Sequence, residues 1–369
     1  MNIKTITCHD VYNVGASLQA YALAHYLQLQ GHEVEIINYK PDYLSKHYSL
    51  WGVSNPKYHK PFFRELYQIL KLPGRIKARY GKRKKAFDSF TQNMLPLTEN
   101  RYTSNESLKD NPPEGDVFFA GSDQIWNTLF RNGRDPAFYL DFVPAGKIKA
   151  SYAASFATEN ILSEWRPRVK LWLSKLDYIS VRESSAVEMI RGLGLTKAVQ
   201  VMDPVFLLER KKWNEIETDL GILEPYILIY DFDNNQYIKQ RALHLANKNK
   251  WKIYSVFNND YCDRSFFQEG PLAFISLVHH AQYVISNSFH ATAFSLIYEK
   301  NFEVFCRNES INTRMLDLIK LVGLESCLIN EQCMKKEVRK IDYSMVEESV
   351  SAAIERSKEY IKRVLQAGD

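Results

Sequence analysis

His290 follows a short polar turn, Ser286-Asn287-Ser288, which separates an apolar run ending at Ile285 from an apolar pattern resumed at Ala293, Phe294 and Ile297. That layout reads as a buried parallel strand delivered to a helix N-terminus. Ligands of open α/β sheets collect at such strand ends, and the free N–H groups of a helix start attract anions. An imidazole in the first helical turn can reach a bound phosphate or carboxylate and exchange protons near neutral pH. The same residues also read as a capped strand–helix joint with one part-buried histidine.

Comparable groups recur after other expected strands. They are Asn13 and Gln19 after the first strand, Ser122 and Asp123 after Ala120, Ser155 after Ala154, and Arg182 with Glu183 after Val181. Arg182 offers a donor fork suited to carboxylate or phosphate, or it pairs with Glu183 or a neighbouring helix. Asp123, in a Gly-Ser-Asp turn, is a general base for a hydroxyl or the N-cap of a helix from Gln124 onward. Any one cluster is ordinary turn chemistry. Five at equivalent places in two α/β units point to a cleft site. A GxSxG elbow, a P-loop, HExxH and the kinase set are all missing, as is GxGxxG, so a hydrolase, kinase or dinucleotide enzyme loses ground. Transfer from an anionic donor to a hydroxyl acceptor fits the residues better.

The elements that must position these groups alternate in type. Ile3 to Thr7 reads as a strand, then a helix with Ala20, Leu23, Ala24 and Leu27 on its buried stripe, then a strand at Val34 to Asn38. Residues 41–110 read as basic helical excursions inserted in this unit. Strands resume at Asp116–Ala120, Ile148–Phe156, Tyr178–Val181 and Val199–Met202. A second unit opens at Tyr226–Tyr230 beyond a boundary between about 207 and 225. The fold class expected is α/β, with two Rossmann-like doubly wound domains facing a cleft. The divisions are 1–210, with the insertion, then 211–340, then a helix over 341–369 packing back on the first domain.

The chain has 369 residues, too many for one ordinary core and enough for two domains of roughly 150–200 residues. A net charge of +5 does not argue for nucleic acid, and no aromatic-interleaved recognition motif accompanies it. The basic charge concentrates in Lys71–Lys85, beside Phe62, Phe63, Leu66, Tyr67, Ile69 and Leu70. This segment reads as a solvated face or as a peripheral contact with an anionic membrane. Five scattered cysteines without CxxC or Cys/His spacing argue against structural zinc and a disulfide framework, so no metal is expected. The N-terminus lacks a signal-peptide layout and no apolar run approaches the ~20 residues of a membrane span. The expected compartment is the cytoplasm, with the inner membrane face as a possible station.

The ordered series Asn13-Val-Gly-Ala-Ser-Leu-Gln-Ala-Tyr-Ala-Leu23, Gly121-Ser-Asp-Gln-Ile-Trp-Asn127, Ser151-Tyr-Ala-Ala-Ser-Phe156, Ser180-Val-Arg-Glu183, Met202-Asp-Pro-Val205 and Ser286-Asn-Ser-Phe-His290 resembles the polysaccharide pyruvyl transferase family. The resemblance implies a two-domain fold similar to GT-B glycosyltransferases. It implies transfer of the enolpyruvyl carbons of phosphoenolpyruvate to a sugar, or to a lipid-linked saccharide, as a pyruvate ketal in surface polysaccharide assembly. Phosphoenolpyruvate is then a co-substrate and no other cofactor is expected. His290 and Asp123 are the implied catalytic pair. Arg182, Asn287, Ser288 and Phe289 are the implied donor contacts. Asn13, Gln19, Ser122, Gln124 and Trp126 are the implied acceptor contacts. Many members carry Arg-Leu-His where this chain has Ser288-Phe289-His290, so one cation must come from elsewhere, with Arg314 and Lys300 as candidates. A nucleotide-sugar glycosyltransferase and a non-catalytic sugar-binding member are the alternatives.

Overall fold

A computed structural model describes residues 1–45, 80–307, 312–329 and 340–368. The first half builds a parallel sheet from β1 (Asn2–Ile6), β2 (Glu33–Tyr39), β3 (Leu97–Tyr102), β4 (Val117–Ala120) and β5 (Ile148–Ser151), in the order β3-β2-β1-β4-β5. Bridges Ala150–Tyr178 and Ala154–Val181 attach a further parallel pair, β6 (Ile179–Val181) and β7 (Ala198–Gln200). The second half repeats the plan with β8 (Tyr226–Tyr230), β9 (Lys252–Ser255), β10 (Arg264–Ser265), β11 (Tyr283–Ser286) and β12 (Phe302–Val304), ordered β10-β9-β8-β11-β12. In both sheets the strand order reverses beside the first strand, between β1 and β4 and between β8 and β11. Those switch points open the crevices where doubly wound sheets bind ligands.

The helices relevant to the site are α1 (Val14–Leu29), α2 (Lys82–Met94), α3 (Ser184–Arg191), α4 (Gln236–Asn249), α5 (Gly270–His280), α6 (Phe289–Ile297), α7 (Thr313–Leu321) and α8 (Ser344–Gln366). Helix α1 differs from the one-sided stripe expected of it, being buried on nearly every face. It lies between its own sheet and the second domain, with Tyr21 5.8 Å from the ring of Trp213. Leu97–Tyr102 is a strand inside the region expected to be helical and irregular. Only its end residues, Leu97 and Tyr102, are apolar, which hides it from a period-two reading.

Of the basic run, residues 71–79 lie outside the described residues. Arg83 and Lys84 are committed within the protein. Arg83 donates to Phe267 O of the second domain at 2.7 Å and to Tyr12 O of the first at 2.8 Å, and Lys84 pairs with Asp88. The closing helix α8 starts on the second domain, where Tyr343 Oη donates to Lys300 O at 2.6 Å. It ends on the first, where Tyr360 Oη donates to Ser151 O at 2.8 Å. Ser357 Oγ accepts from Met202 N at 2.8 Å between them. Among the described residues, no helix is long and apolar enough to cross a membrane.

Candidate active site

Helices α1 and α6 bring their N-termini to one cleft from opposite domains. Asn13 caps α1 by accepting from Ala16 N at 3.2 Å, and Ser288 caps α6 by accepting from Ala291 N at 3.4 Å. Both caps line a cavity of about 170 Å³, together with Asp123, Gln124, Asn287, Phe289, His290 and Arg314. Two converging helix starts favour an anion in that space.

The closeness of the two lobes depends on Gly15. A Cβ on that residue would lie 1.9 Å from His290 Nδ1, so the imidazole packs directly on the α1 backbone. The ring is buried, and among the described residues its Nε2 has no hydrogen-bond partner. Burial pushes its pKa down to about 4, Asp203 and Asp123 opposing that shift and Arg182 and Arg314 adding to it. At that value the ring is neutral at pH 7. An acid role requires a bound anion to raise its basicity first.

Arg182 and His290 meet at Asp203. The carboxylate is fully buried, with Oδ2 2.8 Å from Arg182 Nη2 and 3.7 Å from His290 Nε2. Its Oδ1 caps the following turn by accepting from Val205 N at 3.0 Å. Arg182 also donates to Ser122 Oγ at 2.5 Å, while its Nε and Nη1 have no hydrogen-bond partner among the described residues, Nη1 lying 3.9 Å from Asp123 Oδ1. Its guanidinium lies 4.8 Å from the centre of the Phe289 ring and is not part of the cavity lining. Of the alternatives to an anion, pairing with Glu183 is not made. Glu183 Oε1 instead accepts from Ser155 Oγ and from the N–H groups of Phe156 and Ala157.

Two arginines line the cavity, Arg307, which is paired with Asp233, and, on α7, Arg314. Arg314 Nη1 lies 3.1 Å from Asp123 Oδ1 and its Cζ 5.9 Å from the Phe289 ring centre. Phe289 thus stands between two cations. Burial, then the charge of Arg182, lowers the Arg314 pKa from its ordinary value. Burial also works against the charge of Asp123, but Arg182, Arg314 and His290 outweigh it and hold the carboxyl below its ordinary range. No helix starts at Gln124, and Asp123 sits at φ 70 in a tight turn. Lys300 does not line the cavity, and it neighbours Arg210 and Tyr343 instead.

Three expected acceptor contacts face away from the cavity. Gln19 is fully buried, its amide donating to Thr7 Oγ1 and Ala16 O and accepting from Ser122 N. Ser122 Oγ donates to Ala153 O at 2.7 Å. Trp126 donates to Phe138 O and stacks on Tyr139 in the core. Each has spent its polar groups inside the fold, because sequence adjacency to a strand end does not fix side-chain direction. Asn287 lines the cavity while bracing Phe232 N and Asp231.

Sequence reasoning assigned no role to Asp203, Phe232, Arg307, Asn312 or Met315, of which all but Asp203 line the cavity. The Asp203-Pro204 pair was the only visible signal. Arg307 and Asn312 come from the segment after β12, which has no periodicity to read. Away from the cavity, Glu217, His279 and His280 form the one cluster among the described residues whose side-chain types and spacing (within 4.8 Å) could ligate a metal.

The family model for polysaccharide pyruvyl transferases matches residues 13–305, from the α1 cap through the end of the second sheet. The chain belongs to the polysaccharide pyruvyl transferase family. No curated protein matches it closely. Among solved structures, this pyruvyl transferase family member is similar to the S. aureus MnaA–UDP co-structure (11% identity, 99% of this chain and 97% of that one, TM-score 0.49). It is also similar to the UDP-GlcNAc 2-epimerase of Neisseria meningitidis bound to UDP-GlcNAc (12%, 99% and 94%, 0.44). A third is the E. coli ADP-heptose LPS heptosyltransferase II (11%, 97% and 100%, 0.37). The two-domain α/β class stands on the strand order itself, and these likenesses say nothing about the chemistry of the cleft.

Proposed function

We propose that the protein transfers the enolpyruvyl carbons of phosphoenolpyruvate to two hydroxyls of a sugar, forming a pyruvate ketal and releasing phosphate. The observation that carries this reading is the Arg314–His290 pair in a cavity between two helix N-termini, in a chain of this family. A phosphate or carboxylate entering the cavity competes with Asp123 for Arg314 and receives charge-assisted hydrogen bonds. Arg314 thereby supplies the cation that Ser288 does not. Arg182, tied to Asp203 behind Phe289, adds positive potential from below.

The chemistry balances without a redox partner. One hydroxyl oxygen bonds to C2 of the donor as C3 gains a proton. The second hydroxyl oxygen bonds to C2 as the C2–O bond to phosphate breaks. Of the two hydroxyl protons, one is matched by that gained at C3 and the other leaves with phosphate. Neutral His290, once the bound anion has raised its basicity, takes the first hydroxyl proton, while the guanidiniums keep Asp123 a weak base. His290 is then the acid that returns a proton, and Asp123 holds Arg314 until the donor takes its place.

The test is incubation with phosphoenolpyruvate and a panel of sugar acceptors, with phosphate release followed by a coupled assay and the ketal methyl group by NMR. Phosphate release matched by ketal is expected. Turnover only with a nucleotide sugar would replace the reading by glycosyl transfer. Absence of both turnover and any thermal shift with phosphoenolpyruvate would leave a sugar-binding module.

A further inference from the structure

The first domain carries a second cavity of about 800 Å³ at the C-terminal ends of β2 and β3, apart from the one between the two helix starts. Its lining includes Tyr43, Asn105, Arg131, Arg134, Asp135 and Trp165. Asn105 is 4% exposed, and its Oδ1 has no partner among the described residues while Nδ2 reaches Asp141 Oδ2 at 3.4 Å. A buried carbonyl oxygen without a donor is costly, so a ligand hydroxyl there would be stabilising. Asp135 is already saturated. Tyr39 and Tyr43 both donate to its Oδ2, at 2.6 and 2.5 Å, and Ala137 N donates to its Oδ1. It therefore locks the Tyr43 ring in position rather than acting as a base. Arg134 and Arg168 flank Trp165 at 5.6 and 5.4 Å from its ring.

Arg131 and Arg134 are outnumbered in the lining by Asp42, Glu106 and Asp135. Mixed charge, an aromatic platform and an unfilled amide acceptor suit a neutral polyhydroxylated ring better than a polyanion. The groove and the candidate active site share one wall. The segment after β4 gives Asp123 and Gln124 to the active-site cavity and Arg131, Arg134 and Asp135 to the groove, and Asn132 Nδ2 donates to Gln124 O at 2.5 Å across the turn.

We infer that this groove holds a neutral glycosyl unit of the acceptor saccharide, other than the unit whose hydroxyls react. The inference rests on the transferase reading for the word acceptor, but not for the binding. Saturation-transfer NMR on the full chain, without phosphoenolpyruvate, would use lactose, cellobiose and N,N′-diacetylchitobiose as probes. At least one is expected to bind, with affinity falling about tenfold or more in Asn105→Ala and in Trp165→Leu, both checked for retained shift dispersion. No binding by any probe, or binding unchanged in both folded variants, overturns the inference. If the probes bind through the groove and no ketal forms with any acceptor, the groove stands and the transferase reading falls. If ketal forms with an acceptor KM unchanged in both variants, the groove is refuted and the transferase reading survives.

Discussion

Replacing Gly15 by alanine puts a methyl group where the His290 imidazole lies. The new Cβ would sit 1.9 Å from Nδ1 and 2.4 Å from both Cε1 and Cγ. Ordinary carbon contacts lie near 3.5–4.0 Å, so the ring must retreat by roughly 1.5–2 Å. It has little room to do so, being buried with the Phe289 ring 5.1 Å away and Asp203 at its other edge. Alanine in the first turn of α1 favours the helix by up to ~1 kcal/mol, while overpacking costs about 1–3 kcal/mol, so the fold survives with a small loss. A displacement of that size at a reacting group costs on the order of 10²-fold in kcat/KM. Steady-state phosphate release with phosphoenolpyruvate as varied substrate reads the effect. In Gly15→Ala/His290→Ala the steric penalty vanishes, so the two changes are coupled in stability by about 1–2 kcal/mol. Wild-type kcat/KM in Gly15→Ala would refute the role of His290. A stability penalty that persists in the double variant would refute the packing argument.

Arg314→Ala removes charge-assisted contacts worth about 1.5–3 kcal/mol, which weakens phosphoenolpyruvate binding by roughly 10- to 150-fold; unchanged affinity by calorimetry would exclude Arg314 from the donor site. The folded protein holds His290 and His9 near a pKa of about 4, while an unfolded histidine titrates at about 6.5. The unfolded chain therefore binds more protons between those values, and stability present above pH 6.5 is lost as pH falls through 4. Denaturant unfolding at pH 7 and pH 5 is expected to show a smaller loss in His290→Gln than in the parent, and equal losses would contradict the assignment. Donor binding raises the His290 pKa, so calorimetry near pH 6 in buffers of different ionisation enthalpy should detect proton uptake; identical apparent enthalpies would speak against it. Gln19→Leu strips Ser122 N–H of its acceptor, a loss of about 1–3 kcal/mol, and should lower Tm while leaving acceptor KM unchanged; a raised KM with unaltered Tm would restore Gln19 to the acceptor site.

Much of the frame was legible because strands buried on both faces and helices with apolar stripes leave strong patterns, as at Tyr226–Tyr230 and Tyr283–Ser286. The strand–turn–helix joint at Ser288 and His290 was legible for the same reason, with a cap residue marking where α6 begins. The polar residues at strand ends were visible, but their directions were not. Asn13 and Gln124 face the cavity while Gln19 and Trp126 turn into the core, a difference set by which neighbour offers a hydrogen bond. Arg314 lies on α7, where helical periodicity marks it as an ordinary polar position. Its proximity to Asp123, 191 positions earlier, exists only once the two domains meet.

Co-crystallisation with phosphoenolpyruvate tests the whole account in one electron-density map. The donor phosphate or carboxylate should lie within hydrogen-bonding distance of Arg314 and His290, beside the caps Asn13 and Ser288, with Asp123 displaced from the guanidinium. Density for the donor anywhere else, or an empty cleft at a saturating concentration, would contradict it.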